Sequence, residues 1–141
     1  MDDRLSAVLA ANRAFYTALS LADFEAMQQV WLASPEAVCL HPGEPPLHGW
    51  DTIRASWQSI FAHQGPLHVW ATDEQTRLYP LTAEVTCWEN VEMGQVQGLG
   101  LVRARASNIF RYVGGRWKML EHHAYPISDT EPRRWERFSS N

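Results

Sequence analysis

Apolar positions recur at helical spacing through the first third of the chain and at strand spacing afterwards. Leu5, Val8, Leu9, Asn12, Phe15, Tyr16 and Leu19 share one stripe behind the N-cap candidates Asp2 and Asp3, which predicts a helix over 3–19. In "ADFEAMQQVW" Asp23 can cap a second, short helix whose stripe is Phe24, Met27, Val30 and Trp31. "EAVCLHP" (36–42) reads as a short strand stopped by Pro42, and the loop "GEPPLHG" leads to a third helix in "WDTIRASWQSIFAHQG". Ile53, Trp57, Ile60 and Phe61 form its stripe, with Gly65 at the expected C-terminal cap.

From residue 67 onward the period is two. Strands are predicted at 67–79, 83–93, 101–113 and 116–125, with Gly114-Gly115 supplying the positive φ values of a tight hairpin. Helices first and an antiparallel meander afterwards imply an α+β domain with the helices on one face of the sheet. One domain over 1–128 accounts for this pattern and leaves 129–141 as a C-terminal tail.

Parity then exposes polar residues on apolar faces. Val85, Cys87, Glu89, Val91 and Met93 share one face of the second long strand. Val102, Ala104, Ala106, Asn108, Phe110 and Tyr112 share one face of the third. A carboxylate on an apolar face costs several kcal/mol unless it is paired or hydrogen-bonded. Glu89 and Asn108 therefore read as the floor of a ligand cavity, as a buried pair that sets register, or as a strand end that reaches water. An antiparallel turn near Gly98-Leu99 places the two opposite each other.

The adjacent His122 and His123 point to opposite faces, so at most one shares that cavity. A simple hairpin at Gly114-Gly115 selects His123. The apolar pair Met119-Leu120 hints at a bulge that exchanges the faces and selects His122. His41 ends the first strand just before Pro42, a position open to catalysis and to an ordinary loop histidine alike. No His-x-x-x-His, His-x-His or CxxC spacing is present, so no metal site is expected, and the sequence calls for no cofactor.

Composition narrows the partners. The formal charge of −4 argues against nucleic acid. The mixed-charge "EPRRWERF" (131–138) reads as a solvated tail, and no apolar run reaches the ~18 residues of a membrane span. The start "MDDRLSAVLAANRAF" lacks the basic flank of a secretory signal, and Cys39 and Cys87 in apolar runs read as reduced core thiols. A cytoplasmic protein is expected. Seven Trp suggest a core or cavity with large aromatic walls.

The helical hairpin "FYTALSLADFEAMQQVW", the segment "VCLHPGEPPLHGWDTIRASW" and the closing "NIFRYVGGRWKMLEHHAYP" occur in an order that resembles the nuclear transport factor 2-like (SnoaL-like) superfamily. Within it, the chain is similar to bacterial relatives of the calcium/calmodulin-dependent protein kinase II association domain, over residues 5–127. The resemblance implies a cone: a curved antiparallel sheet wrapping a pocket closed by three N-terminal helices, in proteins that commonly form dimers or rings through the sheet. The association-domain pocket positions fall on His41, Ile53, Glu89, Asn108 and Ala124, without that family's arginines. Comparison with ketosteroid isomerases of the same fold places a base at His41 and oxyanion donors at Tyr16 (or Phe15) and Asn108.

The leading expectation is a homodimeric domain that binds a small organic molecule. Trp31, Trp57 and Phe110 would wall its pocket, and His41, Glu89, Asn108 and His122 would supply polar contacts. The alternatives are a cofactor-independent isomerase or lyase using His41, Tyr16 and Asn108, and an assembly module with a vestigial pocket.

Overall fold

The computed structural model describes residues 3–92 and 101–127. Helices α1 (Asp3–Leu21) and α2 (Phe24–Val30) precede the short strands β1 (Val38–Leu40) and β2 (Leu47–His48). Helix α3 (Trp50–Gln64) leads to four long strands: β3 (His68–Leu78), β4 (Thr82–Glu92), β5 (Leu101–Val113) and β6 (Arg116–Ile127).

The helix boundaries follow local chemistry. Asp23 Oδ1 accepts the Ala26 N–H at 3.0 Å, satisfying one of the orphan donors that begin α2. Gly65, at φ 72°, caps α3 by donating its N–H to Phe61 O. Asp23→Ala is expected to cost about 1 kcal/mol and to lower Tm by roughly 3–5 °C. An unchanged Tm would mean that packing alone holds α2 in place.

The six strands form one open, curved sheet in the order β2-β1-β6-β5-β4-β3. β3 to β6 are the expected antiparallel meander, and Gly114 and Gly115 (φ 59° and 81°) make its last turn. The sheet as a whole is mixed, however. β1 adds to the free edge of β6 in parallel, with Cys39 beside His122, and β2, which the sequence pattern assigned to a loop, pairs antiparallel with β1. A three-residue apolar strand carries no local signal of its direction, and here the direction follows from which sheet edge the meander leaves open.

Two bulges aim the side chains that matter. In β3, Asp73 and Glu74 together oppose Cys87, with Asp73 at φ 54°. In β6, Leu120 is the extra residue: Phe110 pairs with Met119, and Ile109 pairs with Glu121. This insertion turns His122 onto the same face as Asn108, its cross-strand partner. Of the two hairpins left open by the sequence, the bulged one that selects His122 is therefore the one formed, and the straight one that selects His123 is not.

The β4–β5 register also differs from expectation. Glu89 lies opposite Ala104, and Asn108 opposite Val85, so the two polar residues share a face four positions apart instead of facing each other. The turn near Gly98-Leu99 and the tail from 129 onward lie outside the described residues.

Helix α1 packs across the concave side against β3, β4 and β6, α2 bridges α1 and α3, and α3 covers β1 and β2. Val8, Phe15 and Ala18 of α1 and Ile53 and Trp57 of α3 thus meet Val85, Cys87, Ala106, Phe110 and Met119 of the sheet in one core. Cys39 and Cys87 are free, buried thiols.

Candidate functional site

Among the described residues, five polar or charged side chains lie buried: Asn12, Glu89, Asn90, Asn108 and His122. Asn90 faces the other side of β4, where its amide donates to Trp70 O and Thr72 Oγ1. The remaining four are joined through Tyr16, which is 3% exposed. Tyr16 Oη donates to Glu89 Oε2 at 2.8 Å and accepts from Asn108 Nδ2 at 3.1 Å. Asn108 Nδ2 also donates to Asn12 Oδ1 at 2.8 Å, and Asn12 Nδ2 donates to Glu74 Oε2 at 2.8 Å. Asn108 Oδ1 lies 2.6 Å from His122 Nδ1, and the other ring nitrogen, Nε2, lies 3.6 Å from Glu89 Oε2. Arg13 pairs with Glu74 at the surface end of the network.

The electrostatics follow from burial. Desolvation raises Glu89 to about 7 against the lowering effect of the Tyr16 hydrogen bond. Desolvation lowers His122 to about 3, helped by His41 and His123. The Tyr16 phenol is pushed well above its usual range by burial and by neighbouring Glu89. Burial therefore keeps the ring of His122 neutral and lets Glu89 hold a proton close to neutral pH. A carboxyl group poised in this way suits proton transfer.

Half-buried His41 sits nearer the surface. Its Nε2 is 2.9 Å from Ser56 Oγ and its ring meets the Trp57 ring edge-on at 4.8 Å. Burial lowers its pKa, and Glu44 opposes that. Trp57 and Phe15 pack between His41 and His122, with ring centroids 6.4 and 4.7 Å from that of His122.

Of the residues expected at the site, Tyr16, Glu89, Asn108 and His122 are brought together, and His41 and Trp57 adjoin them. Trp31 instead stacks on Trp50 at 5.9 Å and bridges Met119, while Phe110 packs one level below Asn108 in the apolar core. The isomerase-like arrangement also meets a geometric obstacle. The Tyr16 proton goes to Glu89, and the Asn108 amide donates to Asn12 and Tyr16, so neither group has a hydrogen directed at an empty oxyanion position.

Sequence reading passed over Asn12 and Glu74. Asn12 carried the signal that marked Glu89 and Asn108, a polar residue within an apolar stripe. Glu74 carried none, because its placement depends on the β3 bulge.

A groove of about 900 Å³ lies between α1, α2 and the tip of the β5–β6 hairpin, lined by Ala7, Ala11, Ala14, Leu81 and Trp117 among others. It includes none of the residues expected to bind ligand. No three His, Cys, Asp or Glu side chains among the described residues are grouped to hold a metal ion. No described helix is long and apolar enough to cross a membrane.

Known proteins match this architecture closely. A candidate dehydratase of the NTF2-like family from Streptomyces avermitilis is 34% identical, with a TM-score of 0.77 covering 88% of this chain and 96% of that one. A candidate calcium/calmodulin-dependent protein kinase type II association domain from Thiobacillus denitrificans is 28% identical, with a TM-score of 0.73 covering 85% and 94%. The F-box protein SKIP8 of Arabidopsis thaliana is 27% identical over 120 residues, which are 84% of this chain and 48% of that protein. The chain thus spans about half the length of this curated relative. The SnoaL-like domain model matches residues 8–127, which contain every member of the buried network. By that match, and by the similarity to the Streptomyces protein, the chain belongs to the SnoaL-like family.

Proposed function

We propose that this chain is a cofactor-independent acid–base enzyme of the dehydratase or isomerase type, acting on a small organic molecule with a C–H bond beside a carbonyl. The observation that carries this reading is Glu89, a carboxyl raised by burial to about 7 and held between Tyr16 and His122. Its carboxylate can take the proton from carbon. Returning that proton to a neighbouring carbon gives isomerisation, and delivering it to a departing hydroxyl gives dehydration with water as the product. Glu89 thereby takes the role of base that the isomerase comparison gave to His41. His41 and Trp57 stand between it and the surface as substrate contacts. The NTF2-like fold serves many functions, so similarity to a candidate dehydratase raises this reading without establishing it.

A panel of β-hydroxy ketones and enones incubated in D₂O tests the proposal. Deuterium incorporation next to the carbonyl, followed by NMR, is expected for at least one compound at a rate far above the buffer background. A protein that binds members of the panel while catalysing no exchange would favour the second reading, a small-molecule-binding domain. That reading draws support from the indole Nε1 of Trp57, a buried donor without a hydrogen-bond partner that a ligand acceptor could satisfy.

A homodimer across the outer face of the sheet belongs to the same proposal. There Trp88 lies under the Arg103 guanidinium at 4.2 Å, and Tyr125 is exposed. The two buried free thiols suit a cytoplasmic setting.

A further inference from the structure

The buried network has a direction, and its surface end sets it. A carboxylate paired with a guanidinium accepts hydrogen bonds and donates none. Glu74, beside Arg13, therefore requires the NH₂ side of the Asn12 amide, 2.8 Å away. Asn12 must then turn its carbonyl to Asn108, which answers with its own NH₂ at 2.8 Å. That choice turns the Asn108 carbonyl inward to His122 Nδ1 at 2.6 Å, so this nitrogen must carry the ring proton. Nε2 is left with its lone pair facing Glu89 Oε2.

The same polarity governs Tyr16. Its oxygen accepts from the Asn108 NH₂, which leaves its O–H free to donate to Glu89. With both amides reversed, Asn108 would donate to His122 Nδ1, the ring proton would move to Nε2, and Tyr16 would donate to the Asn108 carbonyl instead. In that state Tyr16 Oη and Glu89 Oε2 keep their 2.8 Å contact only with Glu89 protonated and donating to Tyr16, after which every internal contact is satisfied. What opposes it is the clash it creates at the rim, where the Asn12 carbonyl would face the Glu74 carboxylate.

We propose that Glu74 is a positioning residue that holds His122 in the Nδ1–H tautomer, with the Nε2 lone pair turned to Glu89, acting through the amides of Asn12 and Asn108. The tautomer rests on the hydrogen-bond geometry alone. Its consequence for proton transfer rests on the acid–base reading above. There, the Nδ1–H tautomer leaves Tyr16 as the donor to Glu89 and presents a lone pair, not a proton, at Nε2, whereas the reversed network withdraws the Tyr16 donor from Glu89.

The experiment is ¹⁵N–¹H long-range correlation NMR of histidine-labelled protein, with the His122 ring identified by its contacts to Phe15. The wild type is expected to show a pyrrole-like Nδ1 and a pyridine-like Nε2. Glu74→Gln keeps the side-chain shape but lets either end of its amide face Asn12, so both polarities become allowed. The Nε2–H population is expected to rise about tenfold. Arg13→Ala, which leaves the Glu74 acceptor in place, is expected to keep the wild-type tautomer. A wild type with the proton on Nε2, or a Glu74→Gln variant still purely Nδ1–H, would overturn the assignment. Neither result depends on activity, so this inference can fail while the acid–base reading stands, and the reverse.

Discussion

Asn108→Leu is expected to lower Tm by about 10 °C, the largest stability loss anticipated at any single position of the network. Leucine fills nearly the same space but makes none of the three hydrogen bonds that Asn108 forms with Asn12, Tyr16 and His122. The Asn12 carbonyl and the His122 Nδ1–H, both in residues at most 2% exposed, would lose their partners without gaining water. Each orphaned group costs about 1–3 kcal/mol, and a domain of this size loses roughly 3–5 °C per kcal/mol. Thermal unfolding followed by circular dichroism checks the expectation. A shift under about 2 °C would mean that the network relaxes freely, and the preorganised site argued above would fall with it. Proton-transfer activity should fall in the same variant, because Tyr16 and His122 would lose the group that orients both.

Glu89→Gln should separate stability from activity. In the unfolded chain Glu89 and His122 titrate near 4.5 and 6.5, and folding moves them to about 7 and about 3. Between pH 4.5 and 7 the folded state holds a Glu89 proton that the unfolded chain has released. The contribution of Glu89 is therefore complete below 4.5 and is lost as pH rises through 7. His122 works in the other direction: its contribution is complete above 6.5 and is lost as pH falls toward 3. From 4.5 to 6.5 the pair carries one proton in either state, so the two slopes cancel and wild-type stability should be flat there. Glutamine removes the Glu89 part alone. The variant should match the wild type near pH 4 and exceed it near pH 8 by roughly 3 kcal/mol, while proton exchange into substrate falls at least about 100-fold. Melting curves at several pH values are the measurement. Parallel wild-type and variant profiles between pH 4 and 8 would show that Glu89 titrates normally and has no special proton affinity.

The opposition between these two variants has a common cause. Asn108 satisfies its neighbours, so removing it leaves polar groups stranded. Glu89 is a group whose charge the interior tolerates poorly at neutral pH. A carboxylate retained at such a cost, next to a neutral imidazole and a tyrosine, is the arrangement expected where a proton must be moved.

Much of this molecule could be read along the chain. The three helices, the Asp23 and Gly65 caps, the Gly114-Gly115 turn and the four long strands all rest on interactions within a few residues, and these the periodicity reports directly. The same alternation marked Glu89 and Asn108 as polar residues facing the core, since side-chain parity survives any choice of register. Hidden from that reading were the features set between distant segments. The β4–β5 offset placed Asn108 opposite Val85, the parallel entry of β1 brought Cys39 beside His122, and the β3 bulge carried Glu74 to Asn12. The apolar pair at Met119-Leu120 hinted at the second bulge, but a straight hairpin fitted the local pattern as well. Local sequence encodes a period and a face. Register, strand direction and bulge position are decided by which arrangement buries the apolar rows and pairs every buried donor at once, and that balance exists only in the folded chain.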